Sequence, residues 1–147
     1  MCNTFRLSVL ILALVVCIPC LSGHAQDQER PFSGTAAGSV TRQIPPNGLE
    51  VSAAGRATHL GNFTRVEQIF VDGAGAVTGQ VTFAAADGDL LRATITGQFV
   101  SATTAVGEYH FAGGTGRFAS AKGQASFQAV TPDGTQVNFQ FSGKISY

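Results

Sequence analysis

Thr135-Gln136-Val137-Asn138-Phe139-Gln140-Phe141-Ser142-Gly143-Lys144-Ile145-Ser146-Tyr147 is the stretch on which the reading of the fold turns. Val137, Phe139, Phe141, Gly143, Ile145 and Tyr147 share one face of an extended strand, and Asn138, Gln140, Ser142, Lys144 and Ser146 share the other, because successive strand side chains point to opposite sides. Residues 90–100 repeat the pattern: Leu91, Ala93, Ile95, Gly97 and Phe99 oppose Arg92, Thr94, Thr96 and Gln98. One face is apolar and one polar, the signature of a sheet with a buried side.

Outward from these two segments the period of two continues. Strands are predicted near 32–43, 49–58, 63–71, 76–86, 90–100, 105–112, 121–130 and 135–147. Pro45-Pro46-Asn47-Gly48, Asp72-Gly73-Ala74-Gly75, Asp87-Gly88-Asp89 and Pro132-Asp133-Gly134 separate them, residues that preset a turn or tolerate positive φ. No helix of ordinary length fits between. Eight sequential antiparallel strands with short connections make a meander whose edges are exposed unless it closes, so the chain is predicted to be all-β, an eight-stranded antiparallel up-and-down β-barrel. Many positions on the apolar faces are small, among them Gly34, Ala36, Gly38, Gly123, Ala125 and Ala129. They either leave a cavity or permit bending and close packing.

Composition narrows the function. The 147 residues hold 9 Lys+Arg against 9 Asp+Glu, with 44% hydrophobic and 12% charged residues. That is too little basic excess for binding by phosphate neutralisation and too apolar for a disordered chain, so no nucleic-acid partner is expected. Residues 1–25 read as a signal peptide: Arg6 closes a short basic region, residues 7–18 are an apolar run, and Gly23-His24-Ala25 provides small residues for cleavage before Gln26. A run of 12 residues is short of the roughly 20 that cross a bilayer as a helix. The expected location is secreted or periplasmic, with one barrel domain at 26–147. Cleavage would remove Cys2, Cys17 and Cys20, all three cysteines, leaving 122 residues with 8 Lys+Arg and 9 Asp+Glu. Disulfides, thiolate chemistry and cysteine metal sites are then excluded together.

Candidate chemistry lies in polar residues in phase with apolar faces. His59 is in phase with Leu49, Val51, Ala53, Gly55 and Ala57; Arg65 and Glu67 are in phase with Phe63, Ile69 and Val71; Tyr109 is in phase with Phe111. Facing inward, Arg65 and Glu67 must pair or be solvated and would orient a ligand; with a bulge or a flip of phase in that strand they would instead lie in water. His59 reads as a rim or turn histidine or as a base. Glu108 and His110, opposite Tyr109 and Phe111, mark an outer surface. Asp87 and Asp89 flank Gly88 in a turn and lack the further ligands of a calcium site, so no metal and no cofactor are expected. Asn62-Phe63-Thr64 is a glycosylation sequon.

Gly113-Gly114-Thr115-Gly116-Arg117-Phe118-Ala119-Ser120-Ala121-Lys122-Gly123 has no Lys-Ser/Thr after its glycines and opens no long helix, which excludes a phosphate loop and a dinucleotide fingerprint. Its glycines permit a tight reversal, Phe118 can plug an end of the barrel, and Gly123 allows a bend into the next strand. The segment resembles the GGTG-x-F-x-x-A-x-G signature of dirigent proteins and is similar to the corresponding loop of allene oxide cyclases, families built on an eight-stranded antiparallel barrel. With Thr58-His59-Leu60-Gly61-x-Phe63-Thr64 and the Gly88-Asp89 turn, it also resembles secreted bacterial proteins with an allene oxide cyclase-like barrel. The resemblance implies that fold and, from the families' habit, a trimer. It carries no catalytic residue onto this chain, because outside the loop no motif matches position by position.

Three functions follow as expectations. The first is a barrel that binds a small apolar or amphipathic molecule, or a partner surface, with His59, Arg65, Glu67 and Tyr109 as ligand contacts. The second, implied by the resemblance, is a cyclase or dirigent-type enzyme that steers a reactive intermediate in the barrel. The third is a small outer-membrane barrel, which would need aromatic girdles, whereas the chain has no tryptophan and two tyrosines.

Overall fold

The computed structural model describes residues 28–147; the signal segment and its cleavage position lie outside the described residues. The strands are β1 Arg30–Ile44, β2 Gly48–Ala57, β3 Gly61–Val71, β4 Ala76–Ala84, β5 Leu90–Phe99, β6 Thr104–Gly114, β7 Lys122–Val130 and β8 Gln136–Ser146. Each pairs antiparallel with its neighbours in sequence, and β1 pairs with β8 from Arg30↔Ile145 to Ser39↔Gln136, closing the barrel. Eight strands thus satisfy their backbone groups with no free edge.

The ends of the elements depart from expectation by two residues at most, and one of these departures is informative. β6 runs on through Gly113 and Gly114, and a single 3₁₀ turn, Gly116–Phe118, follows it. The glycine loop is therefore partly strand.

Alternation sorts the barrel into an apolar inside and a polar outside. Phe32, Phe63, Phe83, Leu91, Phe111, Phe118, Phe141 and Ile145 are buried; all sit towards the end of the barrel formed by the turns at 58–60 and 85–89, the 115–121 loop and the two chain termini of the barrel. Each fully buried ring or aliphatic side chain contributes roughly 1.5–3 kcal/mol relative to exposure. Outside, Thr94, Thr96, Gln98, Asn138, Gln140, Ser142 and Lys144 are exposed, with Val66, Phe70 and Val106 as exposed apolar side chains among them. Glu108 and His110 are about half exposed and approach to 3.5 Å on that outer surface, as their phase implies.

The small inward residues act in two ways. A Cβ on Gly107 would collide with the Thr96 carbonyl, lie 2.6 Å from Gly97 Cα and meet the Phe127 ring at 2.9 Å. Here β5 and β6 approach closely and the Phe127 ring covers both glycines, so absent side chains become packing rather than space. Ala105 and Ala129, nearer the other end, border a void.

Candidate functional site

The end of the barrel formed by the turns at 45–47, 72–75, 100–103 and 131–135 is not filled. A cavity of about 230 Å³ opens there, walled by Val40, Leu49, Val51, Ile69, Val77, Ile95, Phe99, Phe127, Val137 and Phe139 with Ala105 and Ala129 between them. Its floor is where the inward row of β3 turns polar. Arg65 and Glu67 are 2% and 4% exposed. β3 keeps unbroken register with both neighbours, from Gly48↔Phe70 to Ala57↔Gly61 on one side and from Thr64↔Ala84 to Val71↔Val77 on the other. No bulge or phase flip intervenes, and of the two readings of this strand the inward one holds.

Arg65 Nη2 donates to Glu67 Oε2, and Arg65 Nη1 donates to the Tyr109 hydroxyl at 2.7 Å. The guanidinium lies 4.0 Å from the Phe139 ring centre, with Phe83 at 5.1 Å and Tyr109 at 5.2 Å. Ring faces carry negative charge and stabilise a desolvated cation, while the carboxylate neutralises it; together they offset the cost of burying charge. Arg65 Nε has no hydrogen-bond partner among the described residues. Tyr109 is fully buried, stacked on Phe127 at 4.6 Å.

Burial pushes the Tyr109 phenol above its ordinary value of 10.0, opposed in part by the Arg65 charge and hydrogen bond. The neutral phenol is thus favoured by folding. Below 10.0 both folded and unfolded chains hold the proton and the contribution is constant; above it the unfolded chain loses the proton first, so stability falls as pH rises further. In Tyr147→Phe protein, where Tyr109 is the remaining phenol, phenolate absorbance is expected to appear only with unfolding. Phenolate formed near the ordinary value with the barrel intact would mean that Tyr109 is wet.

His59 does not join the other three. It occupies the turn between β2 and β3 with φ of 64°, at the packed end, where Nε2 meets the Pro31 carbonyl at 2.9 Å and Nδ1 the Tyr147 hydroxyl at 3.0 Å. The count that put His59 in phase with β2 fails because the strand ends at Ala57. Its role there is to tie the first strand and the C-terminus together.

The glycine loop caps the same end. Phe118 is fully buried, 5.0 Å from the Tyr147 ring. Arg117 pairs with Asp87, approaches Asp89 at 3.8 Å and donates to the His59 carbonyl at 2.7 Å, while its backbone N–H donates to Asp89 at 3.2 Å. Gly116 has φ of 54°, and a Cβ there would collide with the Asp89 carboxylate; glycine is what lets the loop seat on the β4–β5 turn. Turn chemistry alone does not explain Asp87 and Asp89. They anchor Arg117, a pairing that spans 30 residues and that the two local sequences do not announce. Phe127, Phe139, Val51 and Ile95, which form much of the cavity wall, were visible in sequence only as inward residues.

No protein-family model and no curated protein sequence matches the chain. Among solved structures it is similar to the pterocarpan synthase dirigent protein PsPTS1, with a TM-score of 0.57 and 12% identity over 82% of this chain and 96% of that one. It is likewise similar to the pterocarpan synthase dirigent protein GePTS1, with a TM-score of 0.52 and 15% identity over 82% of this chain and 91% of that one. At such identities the likeness is one of fold, and the chain has a dirigent-like, closed eight-stranded barrel.

Proposed function

We propose that this protein is an exported barrel that binds one small, largely apolar molecule in the cavity at its open end. The observation that carries the reading is the uneven filling of the interior: one half is packed with phenylalanine rings, and the other holds an apolar cavity of about 230 Å³ above a buried ion pair. Apolar walls with a few placed polar groups are the ordinary make-up of a ligand pocket, and pockets for drug-sized ligands run to roughly 300–1,000 Å³. This one suits a molecule of one or two fused rings. Export is supported by the basic, apolar and small-residue order of residues 1–25.

Binding is favoured over chemistry by the placement of the polar groups. Glu67 lines the cavity, whereas Arg65 and Tyr109 lie behind it and are not part of the wall. A ligand would meet one carboxylate already committed to an arginine, not an acid and a base facing each other. Native mass spectrometry of the protein purified from its own host is expected to show one adduct of low mass that is lost on denaturation. A bare polypeptide mass under gentle conditions, together with no uptake of added aromatic molecules, would defeat the reading.

A further inference from the structure

Resting on that binding reading, the geometry at the floor sets the chemical class of the ligand. We infer that the cavity selects uncharged molecules that donate a hydrogen bond, through a hydroxyl or N–H group, to Glu67 Oε1, and that it rejects anions and gains nothing from cations. Glu67 is 4% exposed, and it is the one charged residue in the cavity wall among the described residues. Its Oε2 is taken by Arg65, and no donor among the described residues reaches Oε1. A carboxylate has about four lone-pair sites and no proton to give when ionised, so this oxygen accepts and does not donate.

Charge bookkeeping then decides between donors. Arg65 and Glu67 form a neutral pair enclosed by Phe139, Phe83 and Tyr109. An entering carboxylate would face Glu67 at short range in apolar surroundings, which is strongly unfavourable. An entering ammonium would lose its hydration to meet a carboxylate whose charge Arg65 already balances. A neutral donor pays little desolvation and gains a charge-assisted hydrogen bond.

The test uses the indole series, whose fluorescence is read directly because the chain has no tryptophan. Indole carries one N–H; 1-methylindole lacks it and adds apolar area, so burial alone would make 1-methylindole the tighter ligand. The expected result is the opposite order, with indole binding about 10-fold more tightly, and with indole-3-carboxylate and protonated tryptamine both weaker than indole. The Arg65→Met/Glu67→Leu double variant, which removes both charges and leaves neither uncompensated, is expected to lose indole's advantage over 1-methylindole, the ratio of the two affinities being the quantity read. Equal or reversed affinities for indole and 1-methylindole in the wild type would overturn the inference while leaving an apolar binding cavity. So would retention of the indole preference in the double variant, or tighter binding of either charged analogue. Failure of every member to bind would overturn the binding reading and the inference together.

Discussion

Glu67→Ala is expected to lower the unfolding free energy by about 3–5 kcal/mol, the range for breaking one side of a buried ion pair, and towards the lower end of it because Glu67 borders the cavity and water can follow the lost side chain. The cost is not the value of the ion pair itself. It is the cost of leaving Arg65, 2% exposed and with Nε already unpartnered, as an uncompensated cation beneath Phe139 and Phe83. Removing both charges is a different experiment. Arg65→Met/Glu67→Leu is expected to lose only about 1–3 kcal/mol, the cost of leaving the buried Tyr109 hydroxyl without its Arg65 partner, since apolar replacements of buried pairs are themselves often neutral or stabilising. Urea midpoints at unchanged slope check both variants. A Glu67→Ala protein as stable as the double variant would show that the guanidinium reaches water.

Phe141→Ala is the second large expected effect, about 3–5 kcal/mol of destabilisation. Phe141 is 2% exposed. Its ring lies 5.4 Å from Phe32, 6.1 Å from both Phe63 and Phe83, and 6.0 Å from Tyr109, and it occupies the room left by Gly34, where a Cβ would meet it at 2.8 Å. Removing it takes away apolar burial and leaves a hole that the four neighbouring rings cannot collapse into. Phe141 is not part of the cavity wall, so ligand affinity in the fraction that remains folded is expected to be unchanged. Thermal or urea unfolding gives the first quantity and a ligand titration of the folded variant the second. A loss below about 1 kcal/mol would mean that the packed end is looser than its ring contacts imply.

These two residues also mark what could be read from the chain before folding. The alternation in 135–147 and 90–100 places every buried apolar residue of β8 and β5 on the correct side, because a strand's side-chain period is fixed by the backbone alone. The same alternation places Arg65 and Glu67 on the inner face but does not choose between that and a bulge; the choice is made by the register with β2 and β4, a non-local property. For His59 the extrapolation fails at the turn, where a positive φ breaks the phase. The cavity was legible only as an alternative. Periodicity states which residues face inward, not which absent side chains are replaced by a neighbouring ring, as Phe127 replaces them at Gly97 and Gly107, and which leave a void, as beside Ala105 and Ala129. The Arg117 anchor on Asp87 and Asp89 is likewise a meeting of distant segments.

The half-filled interior is the centre of this account, and it is tested most directly by titrating 1-methylindole into the wild type and into Ala129→Phe. Ala129 is on the cavity wall, 8% exposed, across from Phe139 on the neighbouring strand, and a benzyl group there would occupy the void without displacing the packed end. The expected result is saturable one-to-one binding by the wild type that is lost in Ala129→Phe, with the variant at least as resistant to unfolding. Absence of saturable binding in the wild type, or binding that survives the plug, would contradict it.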